Sequence, residues 1–230
     1  MFEAGLILFW KGIFAMNSRS LVQTAYQVLK ERIVCGSLMP GTLLSENELA
    51  EELQMSRTPV RNAVTRLEAE GLVQSLKNRG ILVKEISGKE TMDMFETTMA
   101  MLAYALDMTQ ELGIRLNIER LEEFVQQQIA AEKTDDYLSY MKNSMSFFKA
   151  VISSINNRAM IEVMEGYADK LAMAAYINYL RTPYVKHYSA NHLNRSILEA
   201  LKAGDTEGAR RIVKTFNMST RSRIMNGMPF

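Results

Sequence analysis

The sequence has one cysteine, one tryptophan, two histidines and four prolines in 230 residues. A lone cysteine, Cys35, excludes an internal disulfide, so the fold must rest on a packed core and suits a reducing, cytoplasmic compartment. Cys35 is expected as a small buried side chain in a helix. With so few histidines, and none clustered with Asp and Glu, nothing resembles the donor set of a metal-dependent enzyme. No nucleophile motif, phosphate loop or Cys–His pairing is present either. No catalytic residue is nominated, and the chain is read as a non-enzyme. The formal charge is only +1, with 27 basic against 26 acidic residues. That excludes a polycationic coat, and any nucleic-acid contact must come from a local basic cluster. Long hydrophobic runs are also missing. The most apolar stretch, MFEAGLILFWKGIFA at 1–15, is too short to span a bilayer and lacks the basic start and cleavage site of a signal peptide. No membrane partner is expected. Met16, followed by Asn-Ser-Arg-Ser, is read as the biological start, which makes residues 1–16 an extension. The alternative is a short apolar helix packing on the body or on a partner.

An apolar fraction of 47% is that of a globular chain. Its most informative stretch runs from Leu43 to Val83. Before it, Leu21, Val22, Ala25, Val28, Leu29 and Ile33 recur with a helical period up to the turn Gly36–Gly41. Ser45, with Glu48 three residues on, predicts a capping box opening a helix over 46–54. Ser56 is expected to cap a second helix over about 57–70, with Pro59 in its first turn, where proline is tolerated. Gly71 stops it. Two short strands, 73–76 and 81–84, come next around Lys77-Asn78-Arg79-Gly80, forming a two-stranded wing. The predicted fold is therefore mainly α. An N-terminal winged helix-turn-helix over 17–87, with three helices and a small β-wing, precedes a C-terminal all-α bundle over 88–230. In the bundle, helices are expected over 89–112, 117–132, 134–154, 157–180, 184–203 and 205–225.

The chemistry of the first half is that of a DNA reader. A second helix of this kind enters the major groove and presents its N-terminal side chains to base edges and phosphates. Arg57 and Arg61 are four residues apart and share one face. Each offers a flat fork for guanine or phosphate, whereas Arg66, further along, is less central. Thr58 reaches phosphate or a thymine methyl, and the backbone amides at Ser56–Thr58 suit a phosphate. Lys77 and Arg79 at the wing tip reach the backbone or minor groove, and Gly80 lets the wing approach closely. Ser45, Glu46 and Pro59 complete the expected DNA-binding set. Over 17–87 the charge is again nearly balanced, nine basic against eight acidic residues, so the basic character is local.

These residues resemble a known family. Gly36, Leu38, Pro40 and Gly41, then Leu44-Ser45-Glu46, Leu49-Ala50, Ser56 through Arg61, Leu67-Glu68, Gly71-Leu72-Val73, Arg79-Gly80 and Val83 are similar to the winged-helix domain of the GntR family of bacterial transcription regulators. Position 62, usually acidic in that family, is Asn62 here, which bears on base preference or phosphate repulsion. The second half resembles the FadR-like subgroup through Phe147, Ala150, Val151, Asn157 and Met160, and through 197–200 and 204–209. The resemblance implies a helical FCD-type domain that dimerises and binds an effector, and in many members a divalent metal held by one Asp and three His. The aligned positions here are Ser144, Phe148, Asn194 and Phe216 (or Asn217), none a strong metal ligand. No family-type metal or other cofactor is therefore expected. The same four residues are the candidate lining of a more apolar effector pocket. Tyr176, Tyr179 and Arg181 are candidates to orient a polar or acidic ligand end. The many methionines of the second half suit either such a pocket or a core, and the core reading is preferred. His187 and His192, off the aligned positions, are expected at the surface or an interface.

The implied function is a sequence-specific transcriptional regulator, a repressor, that binds a double-stranded inverted-repeat operator as a homodimer under control of a small-molecule effector. The alternative is a constitutive DNA-binding dimer whose helical domain only dimerises.

Overall fold

The computed structural model describes residues 21–185 and 187–225. The expectation about residues 1–16 lies outside them. Two compact units emerge. Among the described residues, one takes 21–31 together with 41–84, and the other takes 32–40 together with 85–185 and 187–225. Among the described residues no helix is long and apolar enough to cross a membrane.

The first unit is built from α1 (Leu21–Val34), β1 (Leu43–Leu44), α2 (Glu46–Glu52), α3 (Arg57–Ala69), β2 (Val73–Leu76) and β3 (Gly80–Val83). Its core is the inward faces of these helices: Ala25, Leu29, Leu49, Val60, Ala63 and Leu67 are buried, closed by Ile81 and Val83 from the wing. Leu21, expected inside, is 59% exposed at the start of α1. The wing has three strands rather than the expected two. Leu43 and Leu44 pair antiparallel with Leu82 and Ile81, so β3 lies between β1 and β2. A two-residue strand has no alternation to read, which is why the pattern missed it. The expected Ser45–Glu48 capping box does not form. Ser45 instead accepts from the Asn47 amide at 3.2 Å. Ser56 stands at the N-cap of α3, but its side chain makes no cap bond.

The second unit holds α4 (Gly88–Glu111), α5 (Ile118–Lys133), α6 (Tyr137–Ser153), α7 (Arg158–Arg181), α8 (Ala190–Lys202) and α9 (Thr206–Met225). A full capping box opens α4, with Ser87 and Glu90 bonding each other's backbone amides. Asn117, Asp136 and Asn157 cap α5, α6 and α7 in the same sense, satisfying donors that the first turn cannot. The hydrophobic centre is α6, which packs against α4, α5, α7 and α8. Its Tyr140, Phe147, Phe148, Val151 and Ile152 are fully buried. Met94, Met99, Met141, Met145 and Met164 fill the space around them, as the core reading of the methionines expects. The helix expected over 184–203 begins only at Ala190. Pro183 follows the C-cap Thr182 and helps turn the chain away, and the described residues 183–185 and 187–189 are irregular. Cys35 is not in a helix. It sits half-buried in the turn after α1, its Sγ 3.1 Å from Ser37 Oγ.

Candidate functional site

In the first unit, α2 and α3 meet at a turn through Gln54, a non-glycine residue with φ of 52°. The Met55 amide donates to Ala50 O at 2.9 Å, which closes the end of α2 and aims α3. Buried Pro59, Val60, Ala63, Val64 and Leu67 hold one face of α3 on the core. That leaves Arg57, Thr58 and Arg61 exposed on another face. The two arginines converge on one carboxylate. Arg61 donates to Glu46 through Nε at 3.1 and 3.2 Å and through Nη2 at 2.8 Å, and Arg57 Nη2 donates to Glu46 at 3.4 Å. The Arg61 hydrogen bonds hold the Glu46 carboxyl below its ordinary pKa. Charge-assisted bonds of this kind fix a guanidinium plane as well as attracting it.

An open cleft of about 690 Å³ runs between the start of α2 and the wing. It brings together five of the sequence candidates, Ser45, Glu46, Arg57, Arg79 and Gly80, and adds Asn47, Ser75 and Asn78. Asn78 sits at the wing turn with φ of 58°, and Gly80 with φ of 102°. A Cβ on Gly80 would stand 2.5 Å from Leu44 O, so glycine is required both for its torsion and for the close pass of β1. Lys77 is exposed at the tip. Ser56, Thr58, Pro59, Arg61 and Lys77 do not line this cleft. Pro59 is buried and acts through the fold. Asn47 carried no signal beyond its place beside Glu46. Arg66 is committed elsewhere, its guanidinium 3.9 Å above the Tyr26 ring and bonded to Gln23 at 2.7 Å.

The second unit encloses a cavity of about 50 Å³. Ser144, Phe148 and Phe216 line it, with Phe95, Tyr137, Met141, Met145, Leu171 and Leu193 supplying most of the remaining wall. Asn194 does not line it. It stands one bond behind, donating to Ser144 Oγ at 3.1 Å and to Gln128 Oε1 at 3.0 Å. Neither Tyr176, Tyr179 nor Arg181 lines the cavity. Arg181 pairs with Glu85 at 2.7 Å, and Tyr179 stacks on Tyr137 at 4.6 Å. His187, expected at the surface or an interface, is only 6% exposed and forms part of the cavity wall. Pro183 sends the chain back over the end of α6, which spacing along the sequence could not show. His192 is exposed on α8, as expected.

The residues at the positions where the family resemblance implies a metal do not fit one. They are two phenyl rings, a hydroxyl and a carboxamide, the last two already bonded to each other. Among the described residues no three His, Cys, Asp or Glu side chains come together.

Residues 21–83 match the family model of bacterial regulatory proteins, gntR family, and residues 90–216 match the FCD domain. The chain belongs to the gntR family. Within it, the FCD match places the chain in the FadR-like subgroup, and the winged helix followed by a helical bundle is the architecture found. A helix-turn-helix transcriptional regulator from Agrobacterium vitis is 34% identical over 87 residues, 38% of this chain and 51% of that protein. The gluconate operon transcriptional repressor of Bacillus subtilis is 26% identical over 136 residues, 59% of this chain and 55% of that one. The chain thus matches about half the length of these two relatives. A solved GntR regulator from Rhodococcus sp. RHA1 shares the fold, with a TM-score of 0.74 and 22% identity over 89% of this chain and 97% of that one. As a member of this family the chain is a DNA-binding transcriptional regulator, and its matches are to regulators, not to enzymes.

Proposed function

We propose that the protein is a repressor that binds a short inverted-repeat operator as a homodimer and changes its affinity when a small molecule enters the helical unit. The observation that carries the DNA half is the convergence of Arg57 and Arg61 on Glu46 at the exposed start of α3, beside a wing bearing Arg79 and Gly80. Two pinned forks at the N-terminal end of a recognition helix suit guanine edges and phosphates. Ser45, Glu46, Ser56, Arg57, Thr58, Pro59, Arg61, Lys77, Arg79 and Gly80 form the proposed interface within a DNA-binding domain spanning 17–87. The repressor sign draws support from the name of the Bacillus subtilis relative. A homodimer places two such helices on two half-sites related by the operator's own symmetry.

The effector half, assigned to the domain proposed over 88–230, rests on the cavity lined between Phe95 and Thr220. Ser144, Phe148 and Phe216 meet there with Asn194 one hydrogen bond behind. Its apolar wall and unsuitable donor set favour an effector held without a metal or other cofactor. A ligand shifts operator affinity only if it binds the DNA-competent and DNA-incompetent arrangements differently. The small volume, about 50 Å³, favours one second reading, in which the helical domain only dimerises and operator binding is constitutive.

The test is recovery of bound fragments from the source genome by the purified dimer, followed by footprinting. The proposal predicts a protected inverted repeat with half-sites about one helical turn apart. Binding without sequence preference would overturn it. A ligand that raises Tm and shifts operator affinity separates the effector-controlled from the constitutive reading.

A further inference from the structure

Among the polar residues of the helical unit's cavity wall, Tyr137, Ser144, His187, Ser189 and Thr220, the histidine has a ring nitrogen left without a partner. His187 Nε2 lies 2.9 Å from the Thr182 carbonyl oxygen and 3.1 Å from Thr182 Oγ1. A carbonyl can only accept, so Nε2 carries the hydrogen. In the singly protonated ring Nδ1 is then an acceptor. That atom is buried and has no hydrogen-bond partner. The ring itself is held edge-on against Tyr137 and Tyr179 at 5.6 and 5.4 Å. A buried acceptor without a donor carries an unmet desolvation cost, and because His187 stands in the cavity wall, an entering donor would satisfy it.

The rest of the wall decides what that is. Phe95, Phe148 and Phe216 with Met141 and Met145 make most of it aromatic and thioether-rich, the Ser144, Ser189 and Thr220 hydroxyls are its small polar groups, and among the described residues no Lys or Arg lines it. A carboxylate there would be desolvated without a fixed counter-charge, an expensive state. The space of about 50 Å³ holds a few water-sized groups. A ring-sized occupant must displace side chains, and the unbranched methionines are the ones able to turn aside. We infer that the effector is a small uncharged molecule, apolar over most of its surface, that donates one O–H or N–H to His187 Nδ1. This rests on the effector reading and deepens it, naming the chemical class of ligand that the same cavity would take.

The probes are phenol, toluene and benzoate, titrated into the full-length protein and read by calorimetry and by the imidazole 15N resonances. The chain has only two histidines, so His192→Gln, on the exposed face of α8, leaves one ring to assign. The inference predicts saturable phenol binding about ten-fold tighter than toluene, the effect of about one hydrogen bond. The His187 Nδ1 resonance should move with phenol and not with toluene. In His187→Leu the ten-fold preference should fall to within about two-fold, with toluene binding retained. Should that variant fail to fold, the 15N shift of the wild-type ring decides alone. Equal affinity for phenol and toluene with no Nδ1 shift overturns the inference and leaves the effector reading standing. Tighter binding of benzoate, with or without added Zn²⁺, does the same. If none of the three binds, the inference fails, and the effector reading then depends on a ligand that raises Tm and shifts operator affinity.

Discussion

At the scale of the residue, the two arginines of α3 with the most reach are not free. Glu46 holds Arg61 by three short contacts and Arg57 by one longer one. An exposed ion pair contributes little to folding, about 0–1 kcal/mol, so its weight falls on orientation. Glu46→Gln removes the charge and releases both forks to the phosphates, which carry no sequence information. The variant should keep its Tm within a few degrees, bind a scrambled duplex more tightly than wild type does, and lose operator-to-scrambled preference. An unchanged preference in anisotropy titrations at fixed salt would deny Glu46 this role. Arg66 offers the converse case. It is exposed by area yet lies over Tyr26, whose hydroxyl donates to Glu70 at 2.5 Å, and Glu70 pairs with Lys30 at 2.9 Å. Arg66→Ala should cost about 0.5–1 kcal/mol of stability in denaturant unfolding and leave operator affinity unchanged. A loss of operator affinity instead would move Arg66 into the interface. Periodicity along α3 put Arg57 and Arg61 on one face and set Arg66 apart, but which partner pins each one was not in the spacing.

At the scale of the element, the wing depends on one glycine. Gly80 opens β3 at φ of 102°, and a Cβ there would stand 2.5 Å from Leu44 O. Gly80→Ala is therefore expected to break the β1–β3 pairing and to destabilise the first unit by about 1–3 kcal/mol, read as a lower Tm and faster amide exchange at Leu82. Operator affinity should drop with it, because Arg79 loses its rigid support. Full stability in this variant would mean that β1 is dispensable. The helices were readable where breaks are chemical. Gly113 and Gly204 take positive φ at the ends of α4 and α8, and the caps Ser87, Asn117, Asp136 and Asn157 mark where α4 to α7 start. The segment around Tyr188, 187–189, was not readable. Its course depends on the residues it returns to, Tyr137 and Tyr140 on α6, and no local pattern encodes that. The burial of His187 comes from the same return.

At the scale of the molecule, a near-neutral chain binds DNA through local placement, not bulk charge. Its second unit hides a cluster of tyrosines that sets its alkaline limit. Burial pushes the Tyr137, Tyr140 and Tyr188 hydroxyls above their ordinary value of 10.0. A folded value above the unfolded one means the protonated form is favoured by folding. The contribution is complete below about pH 10 and is lost as pH rises beyond it. Tm should therefore be flat up to about pH 9.5 and then fall, and Tyr137→Phe should make that fall shallower. An alkaline limb unchanged by the substitution would contradict the cluster's role. The central claim, that α3 reads sequence through its two arginines, has a more direct test. Wild type and Arg61→Ala are titrated against the footprinted operator and a scrambled duplex at one salt concentration. The account predicts a loss of about 1–3 kcal/mol on the operator and a much smaller loss on the scrambled duplex. An equal loss on both, or none on either, would show that Arg61 does not read bases.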